Sequence, residues 1–147
     1  IIVAAELTNN PADSDRLIPL LDALKANTDA VPEQVLADAG FRAEAVFEKL
    51  KESPVELIVA LGREGKEVAI DAATYPRTAE MDAKLKSEEG KSAYRRRKWI
   101  AEPPNGWIKN VLGFRQFSLR GLHRVRAEWK LVCMALNLRR MAVLSAN

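Results

Sequence analysis

From Tyr94 to Lys109 the chain reads Tyr94-Arg95-Arg96-Arg97-Lys98-Trp99-Ile100-Ala101-Glu102-Pro103-Pro104-Asn105-Gly106-Trp107-Ile108-Lys109, with one acid, Glu102, among the cations. Phosphodiester chemistry asks for that combination: cations hold a polyanion, and a carboxylate holds a metal ion. Arg95, Arg96, Arg97, Lys98 and Lys109 are candidate phosphate contacts. The planar fork of arginine grips phosphate oxygens two at a time. Tyr94, Trp99 and Trp107 offer flat faces on which bases stack, although core packing is the favoured role for both tryptophans. Should residues 104–109 be helical, Lys109 lies about two turns from Glu102, near the same face.

Asp38 is the second carboxylate of interest. It ends a predicted strand, Gln34 to Asp38, and is followed by Ala39-Gly40. Open α/β sheets bind ligands just outside the carboxyl ends of their strands. Two readings stand: Asp38 as a ligand-binding carboxylate, or as a cap for the following helix. Glu102 has the same ambiguity. The prolines after it push it away from α geometry, so it is expected at a helix break, as a metal ligand or as an exposed helix end.

The stretch resembles the third-carboxylate region of insertion-sequence DDE transposases, whose signature there is Tyr-x2-Arg-x3-Glu-x6-Lys. Tyr94-x2-Arg97 fits its first half and Glu102-x6-Lys109 its second, with four residues rather than three between Arg97 and Glu102. The resemblance continues through Gly113 to Gly121, Ala127-Glu128-Trp129 and Asn137 to Arg140, and reaches back to Leu36-Ala37-Asp38-Ala39-Gly40-Phe41, similar to the segment with the second aspartate. It implies a ribonuclease H-like α/β core, here partial, with its N-terminal strands missing, followed by C-terminal helices. It also implies DNA cleavage and strand transfer at insertion-sequence ends, with Asp38 and Glu102 as two of three carboxylates holding two Mg²⁺ or Mn²⁺ ions. Tyr94, Arg97 and Lys109 would order the site and hold phosphate. The first aspartate is expected upstream of Ile1, so the chain is read as a C-terminal fragment, or else as a non-catalytic DNA-binding remnant. The complete enzyme is expected to act as a homodimer on transposon ends and target DNA.

Composition agrees with a soluble protein of one domain. The chain has 147 residues, 48% hydrophobic and 29% charged. One cysteine, Cys133, excludes an internal disulfide, and one histidine, His123, leaves no Cys/His zinc site. No apolar run spans a membrane and no signal peptide is visible, so a cytoplasmic, nucleoid-associated protein is expected. The net charge of +3 hides an asymmetry. Residues 1–90 hold 10 Lys/Arg against 18 Asp/Glu; residues 91–147 hold 13 against 2. A polyanion-binding half joined to an acidic half is the physical reading.

These residues need a scaffold. Ile1 to Leu7 reads as a buried strand. Leu17, Leu20, Leu21 and Leu24 repeat at helical spacing, with Asp13, Ser14 and Asp15 as capping candidates and Pro19 delaying or kinking the helix. Ala43, Val46, Phe47 and Leu50 mark a second helix, and Val55 to Leu61 another strand. The order strand, helix, strand, helix, strand over residues 1–61 argues for neighbouring parallel strands. Residues 62–90 read as a loop-and-helix insertion, with the loop over 62–78 and helix from 79 to 101. Gly62 to Lys66 lacks the spacing of a phosphate loop. Residues 91–147 form the basic helical part, with a long helix whose apolar face holds Leu122, Val125, Trp129, Val132 and Leu136, divided by Gly113 and Gly121. Arg120, Arg124, Arg126 and Lys130 read as a solvated basic face, His123 as a surface residue and Cys133 as core.

Overall fold

The computed structural model describes residues 1–62 and 68–146. Most of the segment from Gly62 to Lys66 therefore lies outside the described residues. Among those described, seven α-helices accompany a sheet of two parallel strands. Helix α1 spans Leu17–Thr28, strand β1 Gln34–Ala37, helix α2 Glu44–Leu50 and strand β2 Glu56–Val59. Strands β1 and β2 pair in register from Gln34 opposite Glu56 to Ala37 opposite Val59. Helix α2 is their crossover, as the alternating pattern predicts.

The core lies where this unit closes on itself. Leu17 of α1, Val46 and Phe47 of α2, Ala37 of β1, and Leu57, Val59 and Leu61 in and after β2 form one buried cluster. Strand β2 is the most enclosed element; Ile58 and Val59 are 1% and 0% exposed. Helix α3, Pro76–Lys86, completes the cluster with Met81. It also covers the far edge of β2. The Val59 N–H donates to Met81 Sδ at 3.5 Å, and Lys84 Nζ donates to the Leu57 carbonyl at 3.2 Å. Two side chains thus meet backbone groups that a third strand would otherwise pair.

Helix α3 is fixed from below by Glu44 of α2. One carboxylate oxygen accepts from the Arg77 N–H at 2.7 Å; the other accepts from the Thr78 N–H at 2.9 Å and its hydroxyl at 2.7 Å. Burial opposes charge on Glu44, yet these bonds from Thr78 and Arg77 hold its carboxyl below the usual glutamate range. A carboxylate over orphan N–H groups at a helix N-terminus is favourable for the same reason.

The structure corrects several expectations. Ile1 to Leu7 is not in a strand but in a segment without regular secondary structure, its residues half-buried or exposed. Its backbone is met by side chains instead: Asn137 binds Ile2, Asn27 donates to the Val3 carbonyl at 2.8 Å, and Arg126 donates to the Leu7 carbonyl at 2.8 Å. The described βαβαβ order therefore reduces to αβαβ. Helix α1 begins with Arg16 at its cap, with no side-chain capping bond, so Asp13, Ser14 and Asp15 do not cap it. Pro19 falls in the first turn, where its missing N–H has no partner to lose. The loop expected to run to residue 78 ends earlier, since α3 opens at Pro76, a residue suited to a first turn.

Candidate nucleic-acid interface

The basic half is built from four further helices: α4, Glu88–Arg95; α5, Arg97–Ile100; α6, Glu102–Asn110; and α7, Leu122–Ser145. Helix α4 starts at Ser87, whose hydroxyl accepts from the Gly90 N–H at 3.0 Å. It carries Tyr94 and Arg95. Tyr94 is half-buried, and the Arg97 guanidinium lies over its ring at 5.4 Å. Arg95 is exposed.

Arg96 has a partner that the sequence does not suggest. Its Nη2 donates to Gln34 Oε1 at 2.7 Å, while Gln34 Nε2 donates to Glu56, which pairs with Lys84 at 2.9 Å. Arg96, Gln34, Glu56 and Lys84 thereby tie α4 and α3 to the first residues of both strands. Hydrogen bonds to Lys84 and Gln34 lower the Glu56 pKa. Sequence reading misses Gln34 because a glutamine at a strand start carries no periodic or motif signal. Arg96 thus also serves as a tether, through one of its guanidinium donors.

Glu102 stands at a helix break, as expected: α5 ends at Ile100 and Glu102 is the first residue of α6, but Pro103 and Pro104 behind it are helical, in the first turn, rather than in a loop. The prolines are tolerated there because first-turn N–H groups have no intrahelical acceptors. Glu102 is exposed. Since α6 runs unbroken to Asn110, Glu102 and Lys109 stand two turns apart on nearly the same helix face, about 10 Å along the axis. The conditional expectation for that pair is met.

Both tryptophans overturn the core-packing expectation. Trp99 is 84% exposed and Trp107 39% exposed, with the Arg139 guanidinium over the Trp107 ring at 4.6 Å. They line an open cleft of about 460 Å³ between the N-terminal segment, α5, α6 and α7, along with Ile2, Pro104 and Arg139. Short helices α5 and α6 expose both faces near their ends, so an indole there has little to pack against. Lys98 lies in the same exposed turn as Trp99.

Asp38 lies at the opposite end of β1 from Gln34, roughly 13 Å along the strand. Its Oδ1 accepts from the Gly40 N–H at 2.9 Å, capping the 3-10 turn Ala39–Phe41. The capping reading holds, with Asp38 directly after the last residue of β1. A methyl group on Gly40 would lie 3.1 Å from Asp38 Oδ1 and 3.4 Å from Asp13 Oδ2, so the two carboxylates flank one backbone position. Asp13 escaped the sequence reading, which gave it only a capping role. No hydrogen bond or ion pair among the described residues joins Asp38 to Glu102. Nor do three His, Cys, Asp or Glu side chains gather there in a group able to hold a metal ion. The described donor set therefore does not by itself fit the two-ion centre that the resemblance implies.

Helix α7 closes the site. Cys133 and Leu136 are buried against the rest of the fold, and the expected apolar face from Leu122 to Leu136 is the inward one. Burial pushes the Cys133 thiol up. His123 is exposed, as expected. Gly113 and Gly121, at φ of 68° and 86°, shape the loop that divides α6 from α7. Among the described residues, no helix is long and apolar enough to cross a membrane.

Comparison with known proteins places these features in a family. No curated protein and no solved structure matches the chain. The family model described as Transposase DDE domain matches residues 1–138. That span takes in Asp38, the Tyr94–Lys109 stretch and most of α7, and the chain belongs to the transposase DDE domain family.

Proposed function

We propose that this chain is part of a DNA transposase that cuts DNA at insertion-sequence ends and transfers the strands to a target. The family match over residues 1–138 carries this reading. The basic half supports it, because its 13 Lys/Arg face only 2 Asp/Glu. The parallel β1–α2–β2 unit with helices after it is compatible with a ribonuclease H-like core. Asp38 and Glu102 are assigned by resemblance as two of the three carboxylates for Mg²⁺ or Mn²⁺ in the complete enzyme, which is expected to act as a homodimer near the nucleoid. The residues described here supply the hold on DNA: Arg95, Arg97, Lys98 and Lys109 toward phosphates, Tyr94 positioning Arg97, and the exposed indoles toward bases.

A second reading is a DNA-binding chain without cleavage, which the basic half alone would serve. The two separate in one assay. Full-length protein is mixed with a duplex ending in the element's own terminal repeat, with and without Mg²⁺. The transposase reading expects Mg²⁺-dependent nicking that is lost in Asp38→Asn and in Glu102→Gln. Full cleavage by Glu102→Gln overturns the site assignment. Salt-sensitive binding with no cleavage under any condition supports the second reading. Failure to bind duplex even at low salt overturns both.

A further inference from the structure

We infer that the loop before α7 and the first turns of α7 form a second surface for the DNA backbone, separate from Tyr94–Lys109, with Arg120, Arg124 and Lys130 as its phosphate-holding cations. The inference rests on the reading of the chain as part of a DNA transposase.

Beyond Glu102 the sequence holds eight Lys/Arg and a single acid, Glu128. That acid is already committed. Its Oε1 accepts from the Ser118 N–H at 2.8 Å and its Oε2 from the Leu119 N–H at 3.0 Å. Glu128 therefore braces the loop, and its carboxylate makes no ion pair with the neighbouring cations. Two nearby arginines are also committed, Arg126 to the Leu7 carbonyl and Arg139 to the Trp107 ring. Arg120, Arg124 and Lys130 are all exposed, and none makes an ion pair among the described residues.

Helical geometry leaves Arg124 and Lys130 both on the outward half of α7, about 120° apart around its axis, so they flank that face from either side. Since α7 buries Cys133 and Leu136, the half that carries Arg124 and Lys130 points away from the fold, and Arg120 enters at its start. Within α7, six residues separate Arg124 from Lys130, about 9 Å along the axis, and Arg120 lies just before the Gly121 cap. Duplex DNA carries one negative charge per roughly 1.7 Å of axis, so a face of that length meets several phosphates. Exposed cations with no ion-pair partner on a braced helix complement a polyanion, and the order of bases has no part in the contact.

The test is anisotropy of a labelled, random-sequence duplex across a salt series, with the full chain and its triple variant Arg120→Ala/Arg124→Ala/Lys130→Ala. The salt slope of log affinity is expected to fall by about 2.7, and affinity near 0.1 M salt to fall about a hundredfold, equally for unrelated sequences. Arg124→Gln alone, checked for an unchanged helical circular dichroism signal, is expected to lower the slope by about 0.9. Wild-type binding with an unchanged slope in both folded variants overturns this surface and leaves the transposase reading standing. Tighter binding to polyglutamate than to duplex at equal salt also overturns it, since the surface would then suit an acidic protein. No duplex binding by wild type overturns both readings.

Discussion

Asn137, on α7, binds both backbone groups of Ile2: its Oδ1 accepts from the Ile2 N–H at 2.7 Å and its Nδ2 donates to the Ile2 carbonyl at 2.7 Å. One side-chain amide thus does for one residue what a neighbouring strand does for a whole segment. The contact ties positions 135 residues apart and forms part of the wall of the tryptophan cleft.

Asn137→Ala removes both partners at once. Each such bond contributes about 1 kcal/mol net, so a loss of about 1–2 kcal/mol is expected. Hydrogen exchange is the local readout. The Ile2 amide is expected to lose its protection while amides of β2 keep theirs; equal protection of Ile2 in both proteins would sink the idea.

Glu44 gives the fold an acid-sensitive joint. Its folded pKa is depressed by bonds from Thr78 and Arg77 against the opposing effect of burial, so it stabilises fully above the unfolded glutamate pKa, about 4.3. That stability is lost as pH falls through the lower folded value. Glu44→Gln is expected to lower the melting temperature at neutral pH and to flatten its decline between roughly pH 5 and pH 3. Parallel melting curves for the two proteins over that range would contradict the assignment.

Two helical glycines should respond in opposite senses to alanine. A methyl group at Gly90 would lie 1.9 Å from the Lys84 carbonyl oxygen, which is backbone and cannot swing aside. Gly90→Ala is expected to cost about 1–3 kcal/mol or more by forcing α3 and α4 apart. Gly106, inside α6, has open space where the methyl would go. Gly106→Ala is expected to stabilise by about 0.5–1 kcal/mol through backbone entropy. Chemical denaturation reads both, and a shared sign would refute the local packing.

Glu128 holds the loop before α7, and its carboxyl is lowered first by the Ser118 N–H. Glu128→Ala is expected to expose the Ser118 and Leu119 amides to rapid exchange and to loosen the Phe114–Phe117–Trp129 ring cluster, where Phe114 and Phe117 meet at 5.3 Å. Trp129 emission should shift to the red. Unchanged exchange at Ser118 would show that the rings alone fix the loop.

Period and charge determined a good deal here. Helical spacing in Leu17 to Leu24, Ala43 to Leu50 and Leu122 to Leu136 marks α1, α2 and the inward face of α7, because apolar stripes must be buried whatever they meet. The apolar runs around Leu36 and Ile58 mark the two strands, and the strand–helix–strand order makes them parallel. The concentration of cations after residue 90 is likewise written in composition. Other features depended on which groups arrive from a distance. Ile1 to Leu7 has the composition of a strand, yet a strand needs a ladder, and its backbone bonds go to Asn27, Arg126 and Asn137 instead. Pro103-Pro104 reads as a break, yet falls in the first turn of α6, where no bond is lost. Trp99 reads as core, yet nothing in the fold covers it. Nothing local marks Arg96 as a tether, yet one of its guanidinium donors reaches Gln34. Sequence records local preference; the choice of partner for each backbone edge and charge is made only when distant segments compete for it in three dimensions.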